Sequence, residues 1–201
     1  MTTLPSLTLL DAVNDMLLAI GQYGVNTVEI SDVMDVSIAK SELVKVTRAF
    51  QTESFAFNTD LGQIMSPDVD GLIAIPSGVV RVHATDRSRN VSIRQHPEGG
   101  MHLWDGDNLS WEFSEPVECR VVWAYTFEAL PPVAQQFAMI SAARKFQQRV
   151  IGNPNIDQLL AQDEARARLT LQREERVNRN TNVLTQNPQM VRAYRGYRRG
   201  A

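Results

Sequence analysis

The hydrophobic period of this 201-residue chain switches from helical to strand spacing and back, and nothing else in it constrains the fold as tightly. Val36, Ala39, Leu43, Val46 and Phe50 recur at alternating spacings of three and four. On a helix of 3.6 residues per turn they form one apolar stripe that needs a partner. From about residue 80 the period falls to two. Val80, Val82 and Ala84 alternate with Arg81, His83 and Thr85. Val117, Cys119, Val121, Trp123, Tyr125 and Phe127 then share one face opposite Glu118 and Arg120. Alternation of this kind marks strands with one buried face. Beyond Pro131 the helical period returns. The chain is therefore expected to be α+β: a four-helix body with a β-rich antiparallel insertion.

Local signals place the boundaries. A first helix is expected over about 7–21, with Leu10, Val13, Leu17 and Ile20 on one face and Gly21 and Gly24 as its stop. A second is expected over about 32–53, with Ser31 as N-cap. The insertion covers about 55–128. Within it Met101–Trp104 and Leu109–Phe113 flank Asp105-Gly106-Asp107-Asn108, whose residue types favour the left-handed positions of a hairpin turn. The third helix, about 131–152, opens at Pro131-Pro132, runs through Val133, Phe137, Ile140 and Phe146, and stops at Gly152-Asn153-Pro154. The fourth, about 155–178, has Ile156, Leu159 and Leu160 in its first half. Its second half is charged, with Glu164–Arg168 and Glu175–Arg179 at the favourable i, i+4 spacing. That polar end is expected to project from the core or to lie against another subunit. Residues 1–179 thus read as one domain, followed by a flexible basic arm over 180–201.

Charge sharpens that division. Residues 176–201 hold six arginines and no acid, which leaves 14 basic residues against 23 acids, a net of −9, in the rest. An acid-free arginine segment on an acidic body points to a negatively charged partner. Arg176 and Arg179 lead into the arm, which interleaves arginines with tyrosines at Arg192, Tyr194, Arg195, Tyr197, Arg198 and Arg199, and these eight are the residues assigned to partner docking. Guanidinium forks carboxylate or phosphate, and tyrosine supplies stacking area. No stretch approaches the roughly 20 apolar residues of a membrane span. The N-terminal residues lack the basic and apolar regions of a secretory signal. The lone cysteine, Cys119, fits synthesis in a reducing cytoplasm.

The usual chemical constellations are missing. His96 and His102 are six apart across Pro97-Glu98-Gly99-Gly100, and His83 lies on a strand, which is not zinc-ligand spacing. Counted as a calcium loop from Asp105, the required Gly and Glu fall on Ser110 and Pro116. No nucleophile elbow, phosphate loop or dinucleotide fingerprint is present. Glu112, Glu115, Glu118 and Glu128 sit in the β-rich part and are the handle for a glycosidic carboxylate pair. No catalytic, cofactor or metal residue is assigned.

Four stretches, taken in order, resemble the tail tubular protein A family, the head-to-tail adaptors of short-tailed phages. They are LDAVNDMLLAIGQYGVNTVE (10–29), SELVKVTRAFQTESFAFNTD (41–60), GGMHLWDGDNLSWEF (99–113) and LPPVAQQFAMISAARKFQQRVIGNP (130–154). One departure falls at Ser54-Phe55-Ala56-Phe57-Asn58, where the family usually has Gly-Trp before the Phe-Asn pair.

The resemblance implies a virion tail protein, assembled in the host cytoplasm, that forms a dodecameric ring. The ring would join the portal to the nozzle, tail tubular protein B, with tail fibres near that junction and DNA passing through the channel. It also implies that the C-terminal arm docks on the portal, which matches the reading of Arg192–Arg199 as a segment that waits for a partner. Two other classes stay open: a tail-associated polysaccharide or peptidoglycan hydrolase, and a nucleic-acid-binding module acting through the arm.

Overall fold

The computed structural model describes residues 7–28 and 34–178. Their order is α1 (Leu9–Leu18), α2 (Met34–Phe50), β1 (Thr59–Met65), β2 (Val79–Ala84), β3 (Val91–Gln95), β4 (Met101–Asp105), β5 (Val117–Trp123), α3 (Pro132–Val150) and α4 (Pro154–Asn178). This is the expected α+β arrangement of two helices, an antiparallel β section and two helices. No helix among the described residues is long and apolar enough to cross a membrane.

Capping sets the ends of α1. The Thr8 hydroxyl accepts the Asp11 N–H at 3.1 Å and the Asp11 carboxylate accepts the Thr8 N–H at 3.0 Å, a reciprocal capping box. At the other end Gly21, at φ +77°, closes the helix as its N–H bonds the Leu18 carbonyl and the Gln22 N–H bonds that of Leu17. Gly24 plays no part in this stop. It lets the chain pass Asn14, whose side chain brackets Val25 through two hydrogen bonds. The buried face of α1 is Ala12, Val13, Met16 and Leu17, so Leu10 is off the stripe assigned to it.

On α2 all five stripe residues are buried. Ser31 and Asp32 lie outside the described residues. The α-helix stops at Phe50, and Gln51–Glu53 tighten into a 3-10 turn that ends at Ser54 in the left-handed region, φ +65°. Along α3, Ala134, Ala138, Ala142 and Ala143 let its neighbours approach, while Phe137 and Phe146 fill the space between. Val133 and Ile140 are only half-buried. Pro132 occupies the first turn, where a missing N–H costs nothing. Asn153 caps α4 by accepting the Asn155 N–H at 2.9 Å. Together α1, α2, α3 and the middle of α4 enclose one core.

A second core lies under the strands. β1, β5 and β2 form an antiparallel sheet in that order, and β3 and β4 form a separate hairpin. Met65, Ile73, Val82, Leu103, Phe113, Val117, Cys119 and Val121 are buried between them. The alternation in β5 ends at Trp123. Tyr125 is exposed, and Phe127 belongs to the helical core, because the chain leaves the sheet there for a 3-10 turn at Phe127–Ala129. A register shift between Val79 and Arg81 puts Val79, not Val80, against the strand core.

The turn at 105–108 also differs from expectation. Only Asp105 and Ser110 pair across it, and Leu109–Phe113 is not a strand. The left-handed residue is Leu109, φ +52°, and the buried Asp105 carboxylate accepts the N–H groups of Asp107 and Asn108. Gly106 is needed for another reason: a Cβ there would meet the Asn90 amide at 2.7 Å.

Candidate docking interface

Of the residues assigned to docking, Arg176 alone is described. It is exposed in the last turn of α4. Arg179, Arg192, Tyr194, Arg195, Tyr197, Arg198 and Arg199 lie outside the described residues. The geometry therefore concerns the platform from which the arm departs.

That platform is held by polar contacts more than by a core. Ala167 and Leu171 are the only buried residues of α4, and Leu159 is 64% exposed. The Arg144 guanidinium on α3 spans two turns of α4. It bonds Asp157 through Nε and Nη2 at 2.8 and 3.2 Å and Glu164 through Nη1 at 2.9 Å. These bonds, Asp157 first and Glu164 second, push the guanidinium's proton affinity further up. In return Arg144, helped by Gln148, holds the Asp157 carboxyl below its usual range. The expected Glu164–Arg168 pair does not form, because each side chain reaches another element. Glu164 accepts the Ser141 hydroxyl as well as Arg144, and Arg168 pairs with Glu53.

Arg168 marks the corner where helices give way to strands. Its guanidinium lies 5.2 Å from the Phe137 ring centroid and 5.8 Å from that of Phe55, within cation–π range. Phe55 stacks on Phe57 at 5.4 Å and meets Phe50 edge-on at 5.7 Å. Two turns further on, both Glu175 carboxylate oxygens accept the Ala56 N–H at 2.8 Å. The charged half of α4 thus lies along its own body as far as Glu175. Leu159, Leu169 and Val177 stay exposed away from the Ala167–Leu171 face.

The three histidines divide between two places. His96 and His102 join a ring ladder on the β3–β4 hairpin, where His96 meets Trp111 at 4.9 Å, Trp111 meets Trp104 at 4.7 Å, and Arg94 covers Trp104. His83 is across the strand pair from Arg120. Among the described residues no three His, Cys, Asp or Glu side chains are grouped to hold a metal ion. Cys119 is fully buried, and burial pushes its thiol up to about 11, with Arg89 opposing and Glu118 adding.

The four glutamates take different positions along the β section. Glu118 points from β5 into a groove, Glu112 pairs its backbone with Leu72, Glu115 precedes β5, and Glu128 lies in the 3-10 turn. That groove, about 740 Å³, was not legible as a unit. His83, Arg87, Arg89 and Arg120 line it together with Leu61, Gly62 and Glu118. The signal available was the basic spacing of 87 and 89 beside the outward residues of β2 and β5.

A family model described as Tail tubular protein matches residues 10–181, from the start of α1 to just beyond α4. The chain belongs to the tail tubular protein family. It is a structural component of the phage tail. The match runs through both cores and the whole of α4, so the helical body and the β section are family features together. No curated protein matches the chain.

Proposed function

We propose that this tail tubular protein is a non-enzymatic ring adaptor, acting as a ring of copies, a dodecamer by family resemblance. The ring joins the portal to the nozzle, tail tubular protein B, near the tail-fibre attachment, and surrounds the passing DNA without reading its sequence. The observation that carries this reading is α4. A 25-residue helix is pinned along one side and leaves Leu159, Leu169 and Val177 uncovered on the other, while Arg176 stands exposed at its end. A heterologous contact that closes into a ring would cover such aliphatics. The portal-docking group is Arg176 and Arg179 on the approach, then Arg192, Tyr194, Arg195, Tyr197, Arg198 and Arg199 on the arm, acting by forked bonds to carboxylates.

Light scattering on size-exclusion fractions, with negative-stain microscopy of the protein alone and mixed with portal rings, tests the assignment. Rings seated on the portal are expected. Protein that stays monomeric with portal present overturns it. Removing residues 180–201 should abolish portal attachment and leave the melting temperature of the body unchanged. Normal docking by the truncated chain would remove the arm from the mechanism.

A further inference from the structure

We infer that the basic groove of the β section is one half of a contact between copies of this chain, and that the acidic turn at Asp68-Val69-Asp70 is the other half. The inference rests on the ring reading above and names surfaces for it. On the groove side, His83 and Arg120 face each other across β2 and β5, and the β2–β3 loop adds Arg87 and Arg89. Against these stands one acid, Glu118. Neither Arg87 nor Arg120 forms a salt bridge or a side-chain hydrogen bond among the described residues. Guanidinium groups left this way within an acidic protein present donors for carboxylates or phosphates.

The lining decides between those anions. Leu61, 71% exposed, forms one wall, and no Phe, Tyr or Trp lines the groove as a platform for a base, its one ring being the His83 imidazole. An aliphatic side chain set among arginines suits a protein segment that is both acidic and apolar. The chain carries such a segment. Val69 is 99% exposed and stands between Asp68 and Asp70. The turn is built rather than loose. The Asp68 carboxylate accepts the N–H groups of Asp70 and Leu72 at 3.0 and 2.9 Å, and the Asp68 N–H donates to the Leu72 carbonyl. Leu72 in turn bridges to Glu112, which brings a third carboxylate beside the turn. Two different patches of opposite sign on one chain make a head-to-tail contact, the kind that propagates around a ring.

Charge reversal tests this with full-length protein. One variant carries Arg87→Glu and Arg120→Glu, the other Asp70→Arg and Glu112→Arg. Mass photometry across a concentration series, at low and high salt, reads association. Wild type should associate more weakly as salt rises. Each variant alone should need at least about tenfold more protein to associate, since like charges then face each other. An equimolar mixture of the two should recover wild-type association, because each groove then meets a turn of opposite sign. That recovery also shows that both variants are folded. Wild-type rings with unaffected variants would overturn this contact and leave the ring reading standing, as would a mixture no better than its parts. Wild type that never associates, alone or on portal rings, would sink both. Retention of a short DNA duplex at low salt, lost in the groove variant while self-association is unchanged, would assign the groove to phosphate instead.

Discussion

Asn58 donates a 2.7 Å hydrogen bond from its side-chain amide to the main-chain carbonyl of Gln51, and both residues reach on to the segment that leaves β5. The same Asn58 amide bonds the Trp123 carbonyl at 2.8 Å, and its oxygen accepts the Phe55 N–H. The Gln51 side chain brackets Tyr125, donating to its carbonyl at 2.9 Å and accepting its N–H at 2.7 Å. Both side chains are essentially inaccessible to water. They join the helical core to the strand core through main-chain groups that would otherwise be buried without partners.

Asn58→Ala should therefore cost more than its size suggests. It strands the Phe55 N–H and the Trp123 carbonyl, at roughly 1–3 kcal/mol for each group left unpaired. Gln51→Leu should cost a similar amount. Because the two amides share one network, the double variant should fall short of the sum by about 1 kcal/mol or more. Chemical denaturation of the four proteins measures this, and strict additivity would separate the two residues.

Leu171 is the deepest anchor of α4 beyond its midpoint, 3% exposed. Leu171→Ala should destabilise the protein by about 2–4 kcal/mol, the usual range for a buried leucine. Hydrogen exchange should accelerate most from residue 165 to 178, and portal docking should weaken with it. Uniform acceleration across α1, α2 and α3 would mean that α4 unfolds only with the whole body.

The contrast between stripe and clamp explains what was legible. Val36, Ala39, Leu43, Val46 and Phe50 could be read because burial imposes a period on every residue of a face. Val80 misled because a bulge is set by how β2 pairs with β5, which no local pattern records. Glu164 and Arg168 had the spacing of a helix pair, yet Arg144 and Glu53 on other elements outcompeted it. An exposed i, i+4 pair contributes only a few tenths of a kcal/mol, so a better tertiary partner wins easily. The groove stayed hidden because Leu61, Arg87 and Arg120 come from three separate segments. The basic arm stood out by charge alone, and beyond Arg176 it lies outside the described residues.

Acid should unfold the protein through a small set of carboxylates. Asp11, held by the Thr8 hydroxyl and N–H, and Asp157, held by Arg144 and Gln148, both titrate below the usual 3.8. Burial alone would raise Asp105, but bonds from Asn108 and Asp107 outweigh it and keep that group low as well. A carboxylate with a lowered folded pKa stabilises the fold fully above its unfolded value and loses that contribution as pH falls through the folded value. Melting temperature should thus change little between about pH 7 and 5 on account of these groups and fall steeply below about pH 4. Asp157→Asn should lower stability at neutral pH and flatten the acid limb. An unchanged acid limb would show that Arg144 does not depend on that charge.

Ser54 and Leu109 occupy left-handed backbone, φ +65° and +52°, which costs a side-chain-bearing residue about 1–2 kcal/mol. Ser54 stands where the resembling family usually has glycine, at the corner where α2 turns towards β1. Leu109 is a largely exposed side chain beside the Asp105 turn, so replacing it removes little packing. Leu109→Gly should raise stability by up to about 1 kcal/mol, the relief of strain being partly offset by the greater freedom glycine gives the unfolded chain. Ser54→Gly should act in the same direction by a smaller amount, because the serine keeps a contact of its own. Leu109→Val, with a β-branched side chain that tolerates this region poorly, should lower stability instead. Thermal melts of the three variants give the order directly. A loss of stability in Leu109→Gly would show that the leucine side chain holds the turn, and that Asp105 alone does not.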